Sequence, residues 1–410
     1  MEEVVVTGMG CVTPLGNTVT ELWESLLAEK SGVSNIARFD TSAYDVHFAG
    51  EIKEFDPSPY FTPRDAKRYS RNIQYVVHSA MNALEQAALD PKSVDPTRAG
   101  VILASGMGGM EVYYNTSVTL ANRGPSRVSP FFIPMVISNM GSGEVSIRLG
   151  WMGPSFTPVS ACASSNHSII SAVDQIRLGR ADVMIAGGTE EAVCPVGIAG
   201  FSSMRAISTR NDDPEKASRP FDKNRDGFVL GEGAGVLILE SKSHAEKRGA
   251  KILARIAGVG MSADAYHISA PRDDGEGVKL SIENALKDAR ISIDKVGYIN
   301  THGTSTPLGD VAECSAIYKA FEGKVDHLKV NATKSMTGHM LGAASAVEGI
   351  VTVQSILNQK IHATKNVFEK DERILLDVCE NGASNHSFDY AMSNSFGFGG
   401  HNSVVVFAKN

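Results

Sequence analysis

Cysteine is scarce and unpatterned. The chain holds five, Cys11, Cys162, Cys194, Cys314 and Cys379, an odd number and never spaced as C-x-x-C, so neither a disulfide framework nor a zinc cluster is expected. Long hydrophobic runs are missing too: no stretch reaches the roughly 18 consecutive apolar residues that a membrane-spanning helix needs. Positive charge is in deficit, with 39 basic against 46 acidic side chains and a net charge of -7. A general electrostatic grip on nucleic acid is thereby excluded, and any acidic partner must be met by a local basic patch. No segment is of low complexity. The start, Met1-Glu2-Glu3-Val4-Val5-Val6-Thr7-Gly8, enters a strand-like run without a basic region and a following apolar stretch, so no secretory leader is expected and a cytoplasmic location is.

What is present describes a large folded body. With 410 residues, 42% of them hydrophobic and 21% charged, the chain exceeds what one ordinary core requires, and two domains or one duplicated body are expected. Short β-branched runs (Val4 to Thr7, Gly100 to Leu103, Val183 to Ile185, Val236 to Leu239, Val404 to Phe407) alternate with amphipathic stretches, the rhythm of an α/β protein with buried strands. Thr18 and Glu21 form a capping box for a helix striped by Leu22, Leu26 and Leu27, which Gly32 is placed to stop. Ile73, Val76, Val77, Ala80, Leu84 and Ala87 share one face of a second helix.

One helix-turn-strand phrase occurs twice. Asn82-Ala83-Leu84-Glu85 leads to Gly100-Val101-Ile102-Leu103 and Gly106; Asn284-Ala285-Leu286-Lys287 leads to Gly297-Tyr298-Ile299-Asn300 and Gly303. Val159-Ser160-Ala161-Cys162 and Val330-Asn331-Ala332-Thr333-Lys334 each then run into a helix. A repeat this long implies two similar lobes and not a solenoid; the expected division is 1–250 and 251–410.

Cys162 sits where a strand passes into a helix. Unpaired N–H groups and the helix dipole there favour a thiolate and could also hold an oxyanion. His302, in Asn300-Thr301-His302-Gly303-Thr304-Ser305-Thr306, and His339, in Lys334-Ser335-Met336-Thr337-Gly338-His339, fall at strand ends of the second half, where α/β sheets display ligands. The repeat sets both opposite Cys162; the other nine histidines are read as structural. Lys334 occupies, within a residue or so, the repeat position of Cys162, and Glu313 is expected to keep it charged. The glycine sets Gly106 to Gly109 and Gly397 to Gly400 lack Walker and dinucleotide endings, so they are read as sites of close backbone approach. Phe396 and Phe398 either pack against a substrate chain or fill the core. Arg64, Lys67, Arg68 and Arg71 form a basic stripe on one side of a helix, either a solvated face or a docking site for an acidic partner.

Assembled, these residues resemble the β-ketoacyl-acyl carrier protein synthases of the thiolase-like superfamily, most closely the elongating type, synthase I or II. The matching stretches run from Ser160-Ala161-Cys162-Ala163-Ser164 through Asp226-Gly227-Phe228-Val229-Leu230-Gly231-Glu232-Gly233-Ala234-Gly235, Thr301 to Thr306 and Lys334 to His339, to Ser393-Asn394-Ser395-Phe396-Gly397-Phe398-Gly399-Gly400. The resemblance implies a five-layered αβαβα body of two related lobes, usually a homodimer, with no metal or organic cofactor. It implies that Cys162 takes an acyl group from an acyl carrier protein and that the N–H groups of Cys162 and Phe398 make the oxyanion hole. His302 and His339 would stabilise the enolate left by decarboxylation of malonyl-carrier protein, supported by Lys334, Glu313 and Asp310. Phe398, with Phe396 and Gly399, would gate the acyl pocket; Thr304 and Thr306 would hold the phosphopantetheine arm; Arg64, Lys67, Arg68, Arg127 and Arg205 would meet the carrier.

Two departures stand out: His401 where many bacterial relatives carry threonine, and Tyr113 where an aliphatic residue often limits the acyl pocket. A thiolase is disfavoured because no cysteine stands near Gly399-Gly400-His401-Asn402, and an initiating synthase because His339 stands where that type has asparagine. A non-catalytic chain-length partner normally lacks the nucleophile. A polyketide ketosynthase stays open.

Overall fold

The computed structural model describes residues 2–410. Ten strands form its large sheet: β1 (Val4–Val12), β2 (Ala99–Ala104), β3 (Ser155–Phe156), β4 (Val183–Glu190), β5 (Gly233–Ser241), β6 (Ala254–Ala263), β7 (Val296–Asn300), β8 (Lys329–Asn331), β9 (Tyr390–Gly397) and β10 (His401–Ala408). They lie in the order β8-β7-β9-β10-β6-β1-β5-β4-β2-β3. Outward from the middle, each half repeats one pattern of two antiparallel and then two parallel pairings, β1-β5-β4-β2-β3 on one side and β6-β10-β9-β7-β8 on the other. The halves meet where Val4, Val5 and Val6 of β1 pair with Ile256, Arg255 and Ala254 of β6.

The outer layers are α1 (Arg71–Gln86), packed on β1 and β5, and α2 (Glu276–Ala289), packed on β6 and β10. Glycines make this contact close in both halves. A Cβ on Gly10 would lie 2.1 Å from the Ser79 carbonyl oxygen, and one on Gly260 2.1 Å from that of Ser281, so no larger residue fits under either helix. Between the halves, α3 (Ser164–Arg177) and α4 (Ala344–Asn358) pack against each other. Ile169, Ile170, Val173, Val347, Ile350 and Val351 are fully buried there with Leu237, Leu239 and Phe407 from the strands. This is the five-layered αβαβα arrangement.

The capping box at Thr18 and Glu21 is present, but its helix ends at Leu27 and not at Gly32, because Glu29 already takes a positive φ of 53°. The repeat register also needs correction. The turn before α3 (Ala161–Ala163) matches the turn before α4 (Leu341–Ala343), each opening on a residue of positive φ, Ala161 at 51° and Leu341 at 46°. The counterpart of Cys162 is therefore Gly342; Lys334 lies earlier, in a separate short helix, Lys334–Thr337. Among the described residues, no helix is long and apolar enough to cross a membrane.

Candidate active site

The two matched turns bring the ends of the central helices together over one cavity of ≈ 660 Å³. Cys162, His302, His339, Glu313, Thr304, Thr306, Phe396 and Phe398 all line it. Cys162 stands in the turn before α3, 7% exposed. Gly397 of β9 passes directly behind it: a Cβ there would lie 2.5 Å from the Ser160 carbonyl oxygen and 3.2 Å from the Cys162 nitrogen. Ser395 fixes the turn by donating to the Cys162 carbonyl, 2.9 Å.

His339 Nε2 lies 3.0 Å from Cys162 Sγ. Its backbone is clamped on both sides by the segment from Asp226 to Gly235, donating to the Val229 carbonyl (2.7 Å) and accepting from Gly231 N–H (2.9 Å). That segment was legible as a motif, yet its task, presenting a histidine from the other half, was not. His302 follows β7, and its N–H and that of Gly303 both donate to the Glu313 carboxylate at 2.9 Å. The two imidazole centroids are 5.3 Å apart and nearly perpendicular, at 84°.

The tautomers follow from the neighbours. Leu341 N–H donates to His339 Nδ1 at 3.2 Å, and Lys334 Nζ faces His302 Nδ1 at 3.4 Å while donating to the His302 carbonyl at 2.7 Å. Each Nδ1 is thus an acceptor, which leaves the proton on Nε2 in both rings. Loss of solvent, and then the nearby Lys334 charge, hold both imidazoles well below their ordinary pKa. They are neutral N–H donors converging on one point.

Lys334 is paired with Glu348 of α4 at 2.5 Å, both side chains 1% exposed, and not with Glu313, whose carboxylate is spent on backbone N–H groups. Glu348 escaped the sequence reading; its signal was that it is the one charged residue in the helix Ala344–Asn358. Asp310 acts at one remove, accepting from Ser305 and Phe221 N–H at 3.1 and 2.9 Å with Arg225 beside it at 3.4 Å, and so shapes the loop that carries Thr304 and Thr306, whose hydroxyls are 3.0 Å apart.

Burial works against the thiolate that the helix start favours. Burial pushes the Cys162 thiol up to about 12, outweighing the opposing pull of Lys334 and of the Cys162 and Phe398 backbone N–H groups. Those N–H groups lower the thiol pKa and so act close to the sulfur, where an anionic oxygen would need donors. Gly399, at φ 87°, ties the Phe398 loop to the Ile268 carbonyl at 2.8 Å. The donor atoms of Cys162, His302 and His339 lie within 4.8 Å of one another; a soft divalent ion held there would consume the sulfur and both N–H donors.

Burial also raises Glu313 and Glu348 to about 7. Above that range both are ionised, and below it the support of His302 and the counter-ion of Lys334 are lost. Any reaction using the two donors is expected to slow as pH falls through about 7. Because the folded form of these two groups binds protons more readily than the unfolded chain, their own contribution to stability improves on acidification, so protonating them does not by itself unfold the protein. A pH profile that is unchanged in Glu348→Gln would place its acid limb elsewhere.

The basic stripe is not one helical face. The helix Pro63–Ala66 ends at Lys67, and Arg71 opens α1, where it pairs with Glu111 at 2.6 Å. Arg64, Lys67, Arg127 and Arg205 are exposed, whereas Arg68 lies over the Phe131 ring at 5.0 Å. Tyr113 is 57% exposed and does not line the cavity; His401 is exposed with its ring 6.5 Å from that of His167.

Comparison with known proteins finds similarity along most of the chain. Residues 1–245 match the family described as beta-ketoacyl synthase, N-terminal domain, and residues 253–368 its C-terminal domain. The chain is 47% identical over 408 residues to 3-oxoacyl-[acyl-carrier-protein] synthase 2 of Vibrio cholerae serotype O1, covering 99% of each. A beta-ketoacyl synthase from Burkholderia phymatum superposes with a TM-score of 0.94 at 33% identity over 100% of both chains. The ketosynthase of a type II polyketide acyl-carrier protein complex superposes at 0.91 and 32% identity, also over 100% of both. The chain belongs to the beta-ketoacyl synthase family.

Proposed function

We propose that this chain joins an acyl group to a malonyl thioester with loss of carbon dioxide, in fatty acid elongation, both groups being delivered on an acyl carrier protein. The observation that carries the reading is the convergence of one thiol and two neutral N–H donors on one cavity, with Nε2 of His339 3.0 Å from Cys162 Sγ. In the first half-reaction the sulfur attacks the acyl thioester. The carbonyl oxygen becomes anionic on the N–H groups of Cys162 and Phe398; the adduct collapses by breaking the bond to the carrier sulfur, which takes up the proton given up by the Cys162 thiol and leaves as the carrier thiol, and the acyl group stays on Cys162. In the second, the malonyl thioester carbonyl takes the Nε2 protons of His302 and His339 as hydrogen bonds. The carbon–carboxylate bond breaks, carbon dioxide departs, and the enolate carbon attacks the acyl-Cys162 carbonyl, expelling the sulfur.

Charge appears on the thioester oxygen only as the bond breaks, so neutral, preorganised donors stabilise the transition state more than the ground state. The lobes 1–250 and 251–410 divide the work, thiol in one and imidazoles in the other. A fatty acid role is favoured over a polyketide one by the 47% identity to the Vibrio synthase against 32% to the polyketide ketosynthase. Incubation with acyl- and malonyl-loaded carrier should yield one 3-oxoacyl product per carbon dioxide released; carbon dioxide without that product, from loaded enzyme, would argue against condensation.

Exposed Arg64, Lys67, Arg127 and Arg205 give this acidic chain a local positive surface for the carrier, which the carrier-bound ketosynthase neighbour supports. Reversing Lys67 together with Arg68 is expected to raise KM for carrier-bound substrate by about tenfold, in keeping with lost surface steering, while leaving a small thioester analogue unaffected. Equal effects on both substrates would remove the docking surface from the account.

A further inference from the structure

Glu190 ends β4 in the lining of the cavity, buried from solvent. Its carboxylate accepts from four uncharged donors: Gly106 N–H at 2.9 Å, Met107 N–H at 3.1 Å, the Ser105 hydroxyl at 3.2 Å and, from the other half of the molecule, Gly342 N–H at 3.1 Å. The two loops it joins are in contact, since a Cβ on Gly342 would lie 2.4 Å from the Gly106 nitrogen. Gly342 directly follows Leu341, which has a positive φ of 46° and donates its N–H to Nδ1 of His339, 3.2 Å away. A non-glycine residue keeps such a conformation only where its surroundings over-determine it.

We propose that Glu190 is a positioning residue for the decarboxylation step: its carboxylate anchors Gly342, so that the Leu341 N–H stays on Nδ1 and the His339 proton stays on Nε2. Only an acceptor on both oxygens serves, because every partner is a donor. The inference rests on the role given to His339 above, and it adds a tie between that imidazole and the Ser105–Met107 wall of the thiol's half. Glu190 also places negative charge near Cys162, which opposes thiolate formation there.

Glu190→Gln puts an NH₂ against N–H donors and removes the charge. Malonyl thioester decarboxylation is expected to fall about tenfold or more, the scale of a sub-ångström misplacement of a reacting group. Alkylation of Cys162 by iodoacetamide at one mildly alkaline pH is expected to be as fast as in the wild type or faster, because the opposing charge is gone. Decarboxylation within about twofold of wild type, or loss of both activities together as a purely structural residue would give, overturns the proposal. If the glutamine variant does not fold, Ser105→Ala, which removes one of the four donors, is expected to slow decarboxylation about two- to threefold with normal alkylation, and unchanged decarboxylation overturns it. Wild-type protein that neither releases carbon dioxide nor acylates Cys162 removes the functional reading itself, an outcome distinct from an active wild type with an unaffected variant.

Discussion

Cys162→Ala is expected to lower condensation by at least about 10³-fold, the scale on which removing a covalent nucleophile acts, while malonyl decarboxylation continues. The split follows from the geometry. Sulfur is the atom that receives the acyl group, and no other cysteine, hydroxyl or amine among those lining the cavity lies within hydrogen-bond reach of His339 Nε2 as Sγ does at 3.0 Å. The decarboxylation, in contrast, needs only the two imidazole donors, which are held by Leu341, Lys334 and the Val229–Gly231 clamp and not by the sulfur. Alanine leaves those contacts untouched and creates a space of about one atom. The check is parallel measurement of 3-oxoacyl product and carbon dioxide. Retained elongation would show that the acyl group rides elsewhere.

His302→Ala and His339→Ala are each expected to slow carbon dioxide release by about 10²- to 10³-fold, the range for removing one preorganised oxyanion donor. Acylation of Cys162 should survive far better, since its own donors are the Cys162 and Phe398 N–H groups. Glutamine at either position could restore part of the rate, because it offers a neutral N–H; aspartate should not, because it offers only acceptors. The ring protonation argues the same way: both imidazoles are held far below their ordinary pKa by burial and Lys334, so they act as neutral donors throughout the neutral range. Normal release in either alanine variant would mean that the thioester oxygen lies elsewhere.

Much of this site was legible because its chemistry sits in contiguous words. Thr301 to Thr306 and Lys334 to His339 each carry reactive residues at the end of a strand, and the repeated phrase signalled that two halves would face each other. The repeated strand order is the structural form of that signal. Partner choice was not legible. Lys334 takes Glu348 from α4 and not Glu313, a decision made by how α4 packs. Nor was the repeat register, because what matches between the halves is a backbone conformation, positive φ at Ala161 and Leu341, carried by dissimilar side chains. The environment of Cys162 was legible only in part for a related reason: helix position favours a thiolate, while burial, a property of the assembled cavity, pushes the thiol up. The basic stripe is not one face because the helical spacing in the sequence continues across the non-helical link Lys67 to Ser70.

Intact-mass spectrometry of the protein mixed with an acyl thioester, followed by peptide mapping and then addition of malonyl thioester, bears most directly on the shared cavity of thiol and imidazoles. The account predicts one added acyl group, mapped to Cys162, that disappears as 3-oxoacyl product and carbon dioxide form together. An acyl group on any other residue, or product formed with the protein never acylated, would contradict it.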